Sequence, residues 1–338
     1  MRALGVFALL LTWATAQAQH DIVEGPVQPV SEDSTYRMRV EPAAEGLYRV
    51  MTYNLRYFTF GDGPNAWPER MVQVADQVQR IAPDFIGTQE GLYRQLMDLQ
   101  GLASSDSLHR VACRQAGLPY EEGVRHVDYG WVGVGRDSGD NRGEHCAIFY
   151  RYDRFDCVYS ETFWLSRHPE EPSKDWDAAL PRIATLALMR DLRSGRLLCV
   201  VNTHFDHMGA KARDKSAKVI LDRLRSYSKT GYPLILMGDL NLTPDEKPIQ
   251  RLALALQESY SHAPLHYTGA PAADPVHGTF NAFQYGKVHD RRIDYVFASQ
   301  DWSVLNHGII AESTHGHYPS DHFPVVVDLV LGDLTVRP

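Results

Sequence analysis

Tyr318-Pro319-Ser320-Asp321-His322-Phe323-Pro324-Val325 is the stretch that indicates the fold of this chain. An acid and a histidine lie side by side there, just before the apolar run Val325–Val327. A strand that begins at this run would hold Asp321 and His322 rigidly at its first end. A carboxylate can bind a hard metal ion, and an imidazole, with a pKa near ~6.5, can accept a proton from water at neutral pH. The dipeptide therefore supplies a cation site and a base, which metal-assisted phosphoester hydrolysis requires.

Four further motifs upstream place polar residues at the end of an apolar strand. They are Met51-Thr52-Tyr53-Asn54-Leu55-Arg56, Ile86-Gly87-Thr88-Gln89-Glu90, Val201-Asn202-Thr203-His204-Phe205-Asp206-His207 and Leu236-Met237-Gly238-Asp239-Leu240-Asn241. The segment Arg292-Ile293-Asp294-Tyr295 lies upstream of Asp321 and His322 and adds a further acid, Asp294. Because rigid strands position polar residues at their ends, the sequence predicts one site at one edge of the sheets.

The types of candidate ligand predict the metal. All of them are oxygen donors, and the set contains no thiolate: Asn54, Glu90, Asp239, Asn241 and Asp321. Oxygen-only sites suit Mg²⁺, Mn²⁺ or Ca²⁺, and we expect one or two ions of Mg²⁺ or Mn²⁺. Glu90 with Asn54 would make one site. The other three would make a second site or would position the phosphate.

The histidines receive different roles. His322 would be the general base, and Asp294 would hold its other ring nitrogen. His204 would donate a hydrogen bond to a phosphate oxygen or to the leaving group. Each residue also has a purely structural interpretation, as a solvated turn acid (Glu90), a turn cap (Asn54 and Asn241) or a buried, hydrogen-bonded histidine (His204). Five such motifs at strand ends favour a common site.

Composition and charge narrow the class of protein. The chain has 338 residues, of which 44% are hydrophobic and 22% charged, as in soluble globular proteins. A formal net charge of −8 without a basic run argues against tight non-specific binding to nucleic acid. It leaves nucleic acid open as a substrate, because bound cations offset acidic residues locally. The four cysteines would either pair or serve as small buried side chains, and no pairing is predicted.

The first residues predict export. Met1-Arg2, the apolar run 3–13 and the sequence Ala14-Thr15-Ala16-Gln17-Ala18 match a secretory signal peptide with cleavage after Ala18. We therefore expect a periplasmic or secreted protein with a signal peptide at 1–18, a polar lead-in at 19–45 and one domain at 46–334.

Strand patterns such as 47–53, 197–202 and 233–238 alternate with helical patterns at 68–82 and 211–227, which indicates an α/β fold.

The motifs resemble those of the endonuclease/exonuclease/phosphatase superfamily, the DNase I-like metal-dependent phosphoesterases. The resemblance runs from Arg49 to Leu329, and the matching motifs follow the order found in the family. It implies a four-layer α/β/β/α sandwich, with two packed mixed sheets flanked by helices and the site at one end of the sheets.

The resemblance also implies roles for single residues. Those matching Glu90 and Asn54 hold the principal cation in relatives, and those matching Asp239 and Asn241 contact the phosphate or a second cation. His322 would activate water with help from Asp294. His204 would contact the phosphate beside Asn202, and Glu144 stands where relatives pair this histidine with a glutamate.

The chain also departs from the DNA-repair relatives. Several of them carry an acid two residues after the first asparagine, where this chain has Arg56, so an abasic-site role is in doubt. The segments around Trp164 and 176–183 look like an exported bacterial branch of the superfamily. Within them, Arg182 would reach a substrate phosphate and Trp176 would stack on an organic group; the alternative is that both are structural.

The sequence thus predicts an exported phosphoesterase that hydrolyses a phosphodiester or phosphomonoester in a nuclease-like way, on nucleic acid, a nucleotide or another phosphoester. We expect a monomer without stable membrane association. Two alternatives remain: a sphingomyelinase-like lipid phosphodiesterase, for which no clear membrane-seeking segment is found, and a non-catalytic binding module on the same fold.

Overall fold

A computed structural model describes residues 46–118, 120, 127–268 and 277–332. The predicted signal peptide and lead-in lie outside these residues. The strands are β1 (Leu47–Asn54), β2 (Phe85–Leu92), β3 (Tyr129–Val132), β4 (Glu144–Arg151), β5 (Phe155–Trp164), β6 (Ile183–Asp191), β7 (Leu197–His204), β8 (Leu234–Asp239), β9 (Gln257–Glu258), β10 (Leu265–Thr268), β11 (Asp294–Ala298), β12 (Trp302–Ile309) and β13 (Val325–Leu331). The helices are α1 (Trp67–Ile81), α2 (Tyr93–Ser104), α3 (Asp106–Gln115), α4 (Ala210–Ser228), α5 (Lys247–Ala255) and α6 (Ser259–His262), and a 3-10 helix spans Phe60–Asn65.

The strands form two mixed sheets. One sheet has seven strands in the order β10-β12-β13-β1-β2-β4-β3, and the other has six in the order β5-β6-β7-β8-β11-β9. In each sheet a central parallel pair, β1 with β2 and β7 with β8, lies next to an antiparallel strand, β13 and β11 respectively. The ends of β1, β2, β7 and β8 and the starts of β11 and β13 therefore fall at one edge of each sheet.

Alternation along the strands builds three apolar layers. On β7, Leu198 and Val200 pack between the two sheets, whereas Cys199 and Val201 pack on the other side with the helices α4 and α5. The outer face of the seven-stranded sheet packs in the same way against α1 and α2. Because successive strand side chains point to opposite faces, each central strand serves two layers. The predicted four-layer α/β/β/α sandwich is confirmed.

The four cysteines are not joined in disulfides. All four lie in the described residues, and none of them forms a disulfide there. Cys113, Cys146 and Cys199 are buried, as the small-hydrophobe interpretation requires. None of the helices in the described ranges is long and apolar enough to cross a membrane.

Candidate active site

The predicted strand ends meet at one edge of the two sheets. Asn54, His204 and Asp239 are the last residues of β1, β7 and β8, and Asp294 is the first residue of β11, where it pairs in register with Asp239. Asp321 and His322 come just before β13, which runs antiparallel to β1. Glu90 lies near the end of β2, which runs parallel to β1. The topology therefore brings the five sequence motifs together.

The backbone is unusual at several of these positions. Glu90 and Asn241 have positive φ angles of 62° and 50°, a left-handed conformation that costs side-chain-bearing residues free energy. Glu90 lies where the register of β2 against β4 shifts, and a bulge at such a place redirects a side chain. Gly238 has φ 152°, and a Cβ atom there would lie 2.0 Å from the Thr203 carbonyl oxygen. Only glycine fits directly before Asp239.

Acidic side chains are crowded at the edge of the sheets. The Asn54 Nδ2 atom donates to Glu90 Oε1 at 3.2 Å and to Asp239 Oδ2 at 3.1 Å, so this amide joins the two sheets. Burial and nearby Glu90 raise the pKa of Asp321, and burial together with Asp294 raises the pKa of Asp239 to about 7. Oxygen donors that crowd each other's negative charge fit a hard divalent cation. In this orientation Asn54 presents its NH₂ group, so its role as a metal ligand stays a prediction.

His322 and Asp294 form the predicted pair. The His322 Nδ1–H group donates to Asp294 Oδ2 at 2.9 Å, and both side chains are buried. The Nε2 atom lies 3.8 Å from Asp239 Oδ2, too far for a direct hydrogen bond. Burial alone lowers the pKa of His322, but Asp294 and Asp239 outweigh it and raise this pKa to about 10. The carboxylates therefore hold a proton on His322, and positive charge bound beside them would release it.

His204 is neutral. Burial, and next the nearby Arg182 and Arg136, keep the pKa of His204 well below its usual value. Asn241 Nδ2 donates to His204 Nε2 at 3.1 Å and to the Phe205 carbonyl oxygen at 3.1 Å. The ring proton then belongs on Nδ1. A hydrogen bond from Nε2 to a phosphate oxygen, as predicted, would need this Asn241 contact to change.

A pocket of about 550 Å³ lies above these groups. Its lining combines acids, histidines, arginines and a few apolar side chains: Arg56, Tyr57, Glu90, Glu144, Leu180, Arg182, His204, His207, Asp239, Asn241, Phe280, Arg291, Ile293, Asp321 and His322. The acids can hold a cation, and the arginines can bind the oxygens of an anion. The pocket therefore suits a phosphate ester bound together with a metal ion.

Arg182 reaches the pocket because Asp206 holds it. Arg182 Nε donates to Asp206 Oδ2 at 3.2 Å, and Nη2 donates to His207 Nδ1 at 2.9 Å. Asp206 is fully buried and also accepts backbone N–H bonds from Ala179 at 3.1 Å and Gly209 at 2.7 Å. Asp206 was not among the predicted site residues, although it lies two positions after His204. One carboxylate thus fixes both the arginine and the 179–180 wall of the pocket.

Replacing Asp206 by asparagine is expected to weaken both the fold and substrate binding. Burial opposes ionisation, but the hydrogen bonds from Gly209 and Ala179 and the charge of Arg182 hold the pKa of Asp206 well below its usual value. A lowered pKa stabilises the fold above ~4, and this contribution is lost as the pH falls further. Loss of the charged acceptor should cost about 2–3 kcal/mol at pH 7. Thermal unfolding at pH 7 and pH 3 checks this.

The comparison at two pH values is decisive for Asp206. The difference in melting temperature between wild type and Asp206→Asn should shrink at pH 3, and KM should rise more than kcat falls. Asp222→Asn on the exposed face of α4 is the matched control. An equal difference at both pH values would contradict the assignment of an ionised Asp206.

The structure corrects the role predicted for Asn202. Its predicted contact with substrate is wrong, because Asn202 is fully buried and does not line the pocket. Its Nδ2 atom donates to the carbonyl oxygens of Thr88 and Ala147, both at 2.8 Å, and Oδ1 accepts from Gln89 Nε2 at 2.7 Å. The side chain points from β7 towards the opposite sheet, so it joins the sheets below the site.

The structure also differs from the roles predicted for Trp176 and Glu144. Trp176 does not line the pocket, and the same loop contributes Leu180 instead. Glu144 does line the pocket, but it does not hydrogen-bond to His204. Both of its oxygens accept from Arg136, at 2.7 and 2.6 Å. The Arg136 guanidinium therefore binds both oxygens of the Glu144 carboxylate. Burial raises the pKa of Glu144 to about 7, although the charge of Arg136 lowers it.

Several pocket residues were missed by sequence reasoning. Phe280 packs edge-on against the His322 ring at 5.1 Å, and the Arg291 guanidinium lies over the Phe280 ring at 5.3 Å. Both come from the segment between residues 277 and 293, which has no regular secondary structure and no periodicity to detect. Arg56 was noticed as a departure from relatives, and it lines the pocket while pairing with Asp62 at 3.0 Å.

Two packed sheets with buried carboxylates and histidines at a shared edge define a class, the metal-dependent phosphoester hydrolases. The sequence model of the Endonuclease/Exonuclease/phosphatase family matches residues 51–322. The chain belongs to this family, and it is a phosphoester hydrolase that depends on a divalent metal ion. Comparison with curated protein sequences gives no match.

Solved structures agree with this assignment. An Endonuclease/Exonuclease/phosphatase family protein from Bacteroides thetaiotaomicron is 33% identical, covers 85% of this chain and 98% of its own, and superposes with a TM-score of 0.72. A mannosyl-6-phosphatase from the same organism is also 33% identical, covers 84% and 100%, and has a TM-score of 0.71. The human nocturnin catalytic domain, at 19% identity, with coverage of 85% and 96% and a TM-score of 0.58, shares the fold.

Proposed function

We propose that this protein is an exported, Mg²⁺- or Mn²⁺-dependent phosphatase that removes the phosphate group from a small molecule such as a phosphorylated sugar. The pocket above the carboxylates supports this function most directly. A volume of about 550 Å³ lies within the usual range for small-molecule sites. Export rests on the signal-peptide pattern of residues 1–18 and is tested by cell fractionation.

The charges around the pocket favour a phosphomonoester. Arg56, Arg182 and Arg291 line it together with the neutral His204, and a terminal phosphate group brings nearly two negative charges. Arginine matches phosphate oxygens with a rigid fork of donors. A phosphodiester carries only one charge, and a polymer would need basic groups along a groove outside the pocket.

A relative supports the choice of substrate class. The mannosyl-6-phosphatase from Bacteroides thetaiotaomicron is 33% identical to this chain, over 100% of its own chain and 84% of this one. Apolar side chains of Leu180 and Phe280 beside the arginines would give one face of a sugar ring a surface to pack on. A hexose 6-phosphate is therefore the first compound to try.

The residues of the pocket have distinct tasks in this proposal. Glu90, Asp239 and Asp321 would hold the cation, which polarises the phosphoester when bound. His322, aligned by Asp294, would take the proton of the attacking water at Nε2. Asn241 and His204 would contact the phosphate oxygens, and Arg182, held by Asp206, would bind an oxygen of the substrate phosphate.

Protons and the cation should compete for Asp239. Burial, and next the charge of Asp294, raises the pKa of Asp239 to about 7, so below that pH the side chain is protonated and neutral. A cation binds the deprotonated form, so the apparent dissociation constant for Mg²⁺ should rise roughly tenfold between pH 8 and pH 6. Calorimetric titration at the two pH values measures this.

Two variants separate the sources of this pH effect. Asp239→Asn should abolish the effect, whereas Glu144→Gln, which removes another acid with a raised pKa, should retain most of it. An unchanged Mg²⁺ affinity from pH 8 to pH 6 would show that Asp239 is already ionised at pH 6.

A substrate panel tests the proposed function. The protein from residue 19 onward would be assayed with and without Mg²⁺ or Mn²⁺ on mannose 6-phosphate, glucose 6-phosphate, p-nitrophenyl phosphate, bis-p-nitrophenyl phosphate, single- and double-stranded DNA, RNA and sphingomyelin. Glu90→Ala is the control for metal dependence. Hydrolysis of sugar phosphates that needs both metal and Glu90 is expected.

The other outcomes of the panel are equally informative. Preference for DNA, RNA or bis-p-nitrophenyl phosphate would show that the protein is a nuclease-type phosphodiesterase and not a phosphatase. Preference for sphingomyelin would support the lipid-directed alternative. Folded protein that binds metal but hydrolyses nothing in the panel would contradict the proposed substrate class.

A further inference from the structure

A second group of metal-ligating side chains lies outside the pocket. Asp76 on α1 and His109 and Cys113 on α3 are all buried, and one ligand atom from each lies within 4.8 Å of the other two. His109 Nε2 is 3.2 Å from Cys113 Sγ and 3.7 Å from Asp76 Oδ1. None of the three lines the pocket of the active site. The same imidazole nitrogen therefore faces both a thiol and a carboxylate.

The way in which α3 is buried is unusual. Among the ten residues of this helix, the buried side chains are His109 and Cys113, which are one turn apart on the same face. The larger apolar residues Leu108 and Val111 are 55% and 51% exposed. A helix normally docks through an apolar stripe. Here the docking face towards α1 consists of two metal-binding residue types.

The carboxylate is already oriented for a ligand. Asp76 Oδ2 accepts from Arg80 Nε at 2.9 Å, while Oδ1 faces His109. Arg80 is itself fixed by Glu312, to which it donates at 3.1 and 2.5 Å. Hydrogen bonds to the second oxygen of a ligating carboxylate are typical supports of protein metal sites.

We propose that Asp76, His109 and Cys113 bind a zinc ion that fastens α3 to α1. In a tetrahedral zinc site, ligand atoms lie roughly 3.3–3.6 Å apart, close to the 3.2 and 3.7 Å separations here. A thiolate and an imidazole favour zinc over magnesium, so this site and the oxygen-donor site select different metals. Binding displaces the thiol proton to solvent, and a water molecule completes the tetrahedron.

The test is metal content and cobalt spectroscopy of the whole protein. After exposure to zinc and dialysis into magnesium buffer, wild type and Glu90→Ala should each retain one zinc ion, and Cys113→Ser and His109→Ala should lose it. Cys199→Ser, which changes another buried cysteine, is the matched control. Cobalt should produce a thiolate charge-transfer band in wild type and Cys199→Ser that is absent from Cys113→Ser.

The cobalt band keeps the proposal falsifiable even if a variant fails to fold, because wild type alone must show it. Equal zinc retention by wild type and Cys113→Ser, or a wild-type protein without the thiolate band, would contradict the proposed zinc site. Asp76, His109 and Cys113 would then be a hydrogen-bonded group without a metal. Removal of zinc should also speed amide hydrogen exchange in α3 while α4 stays unchanged. Exchange in α3 that does not depend on zinc would contradict the fastening role.

Discussion

His322→Ala is expected to lower kcat by at least ~100-fold, the usual scale for loss of a general base. The variant removes the imidazole that Asp294 aligns at 2.9 Å and whose Nε2 atom lies 3.8 Å from Asp239. It also frees the buried Asp294 from its partner, so part of the loss comes from rearranged charge. Steady-state kinetics on the best substrate of the panel, at saturating Mg²⁺, measures the effect.

Two controls separate chemistry from folding for His322. His266→Ala removes an exposed histidine on β10 and should leave kcat unchanged. Circular dichroism and thermal unfolding of His322→Ala show whether the fold persists. A folded His322→Ala enzyme with near-wild-type turnover would exclude His322 as the base and would move this role to Asp239.

Asp239→Ala is expected to cause a loss at least as large, ~100-fold or more, together with weaker cation binding. Asp239 contacts candidate residues from both sheets. Oδ2 accepts from Asn54 at 3.1 Å and lies 3.5 Å from His204 Nε2, and Oδ1 accepts the Asn241 backbone N–H at 2.9 Å. Its removal therefore disturbs the cation site, the base and the phosphate contacts together.

The measurement for Asp239 combines kcat with a Mg²⁺ titration. Asp222→Ala on the exposed face of α4 is the matched control and should change neither quantity. Activity that returns to the wild-type level at high Mg²⁺ would show that Asp239 serves the cation only. Turnover near that of wild type at ordinary Mg²⁺ would contradict the assignment altogether.

Much of the fold was predictable because strands carry a simple signal. The central strands β7 and β8 have continuous apolar runs, which indicate burial on both faces of the sheet. The helix predicted at 211–227 is α4, Ala210–Ser228, and the helix predicted at 68–82 is α1, Trp67–Ile81. Short elements such as α3 were not predicted, because His109 and Cys113 are its buried residues and no apolar period marks the helix.

The candidate site was predictable to the extent that its residues sit at strand ends. The pairing of His322 with Asp294 has the geometry expected from the sequence, since both residues adjoin apolar runs that become β13 and β11. The partner of Glu144 was not predictable. Arg136 reaches it from a loop of irregular structure, and such contacts depend on how loops close over the sheets.

The donor types, the order of the motifs and the faces of the strands follow from the sequence alone. On β7 the period of two already places Asn202 and His204 on the same face. The packing of the two sheets encloses Asn202 between them, whereas His204, two residues further, reaches the pocket. The reason is that burial depends on where the opposite sheet ends, and no local pattern in β7 records the position of Thr88 or Ala147.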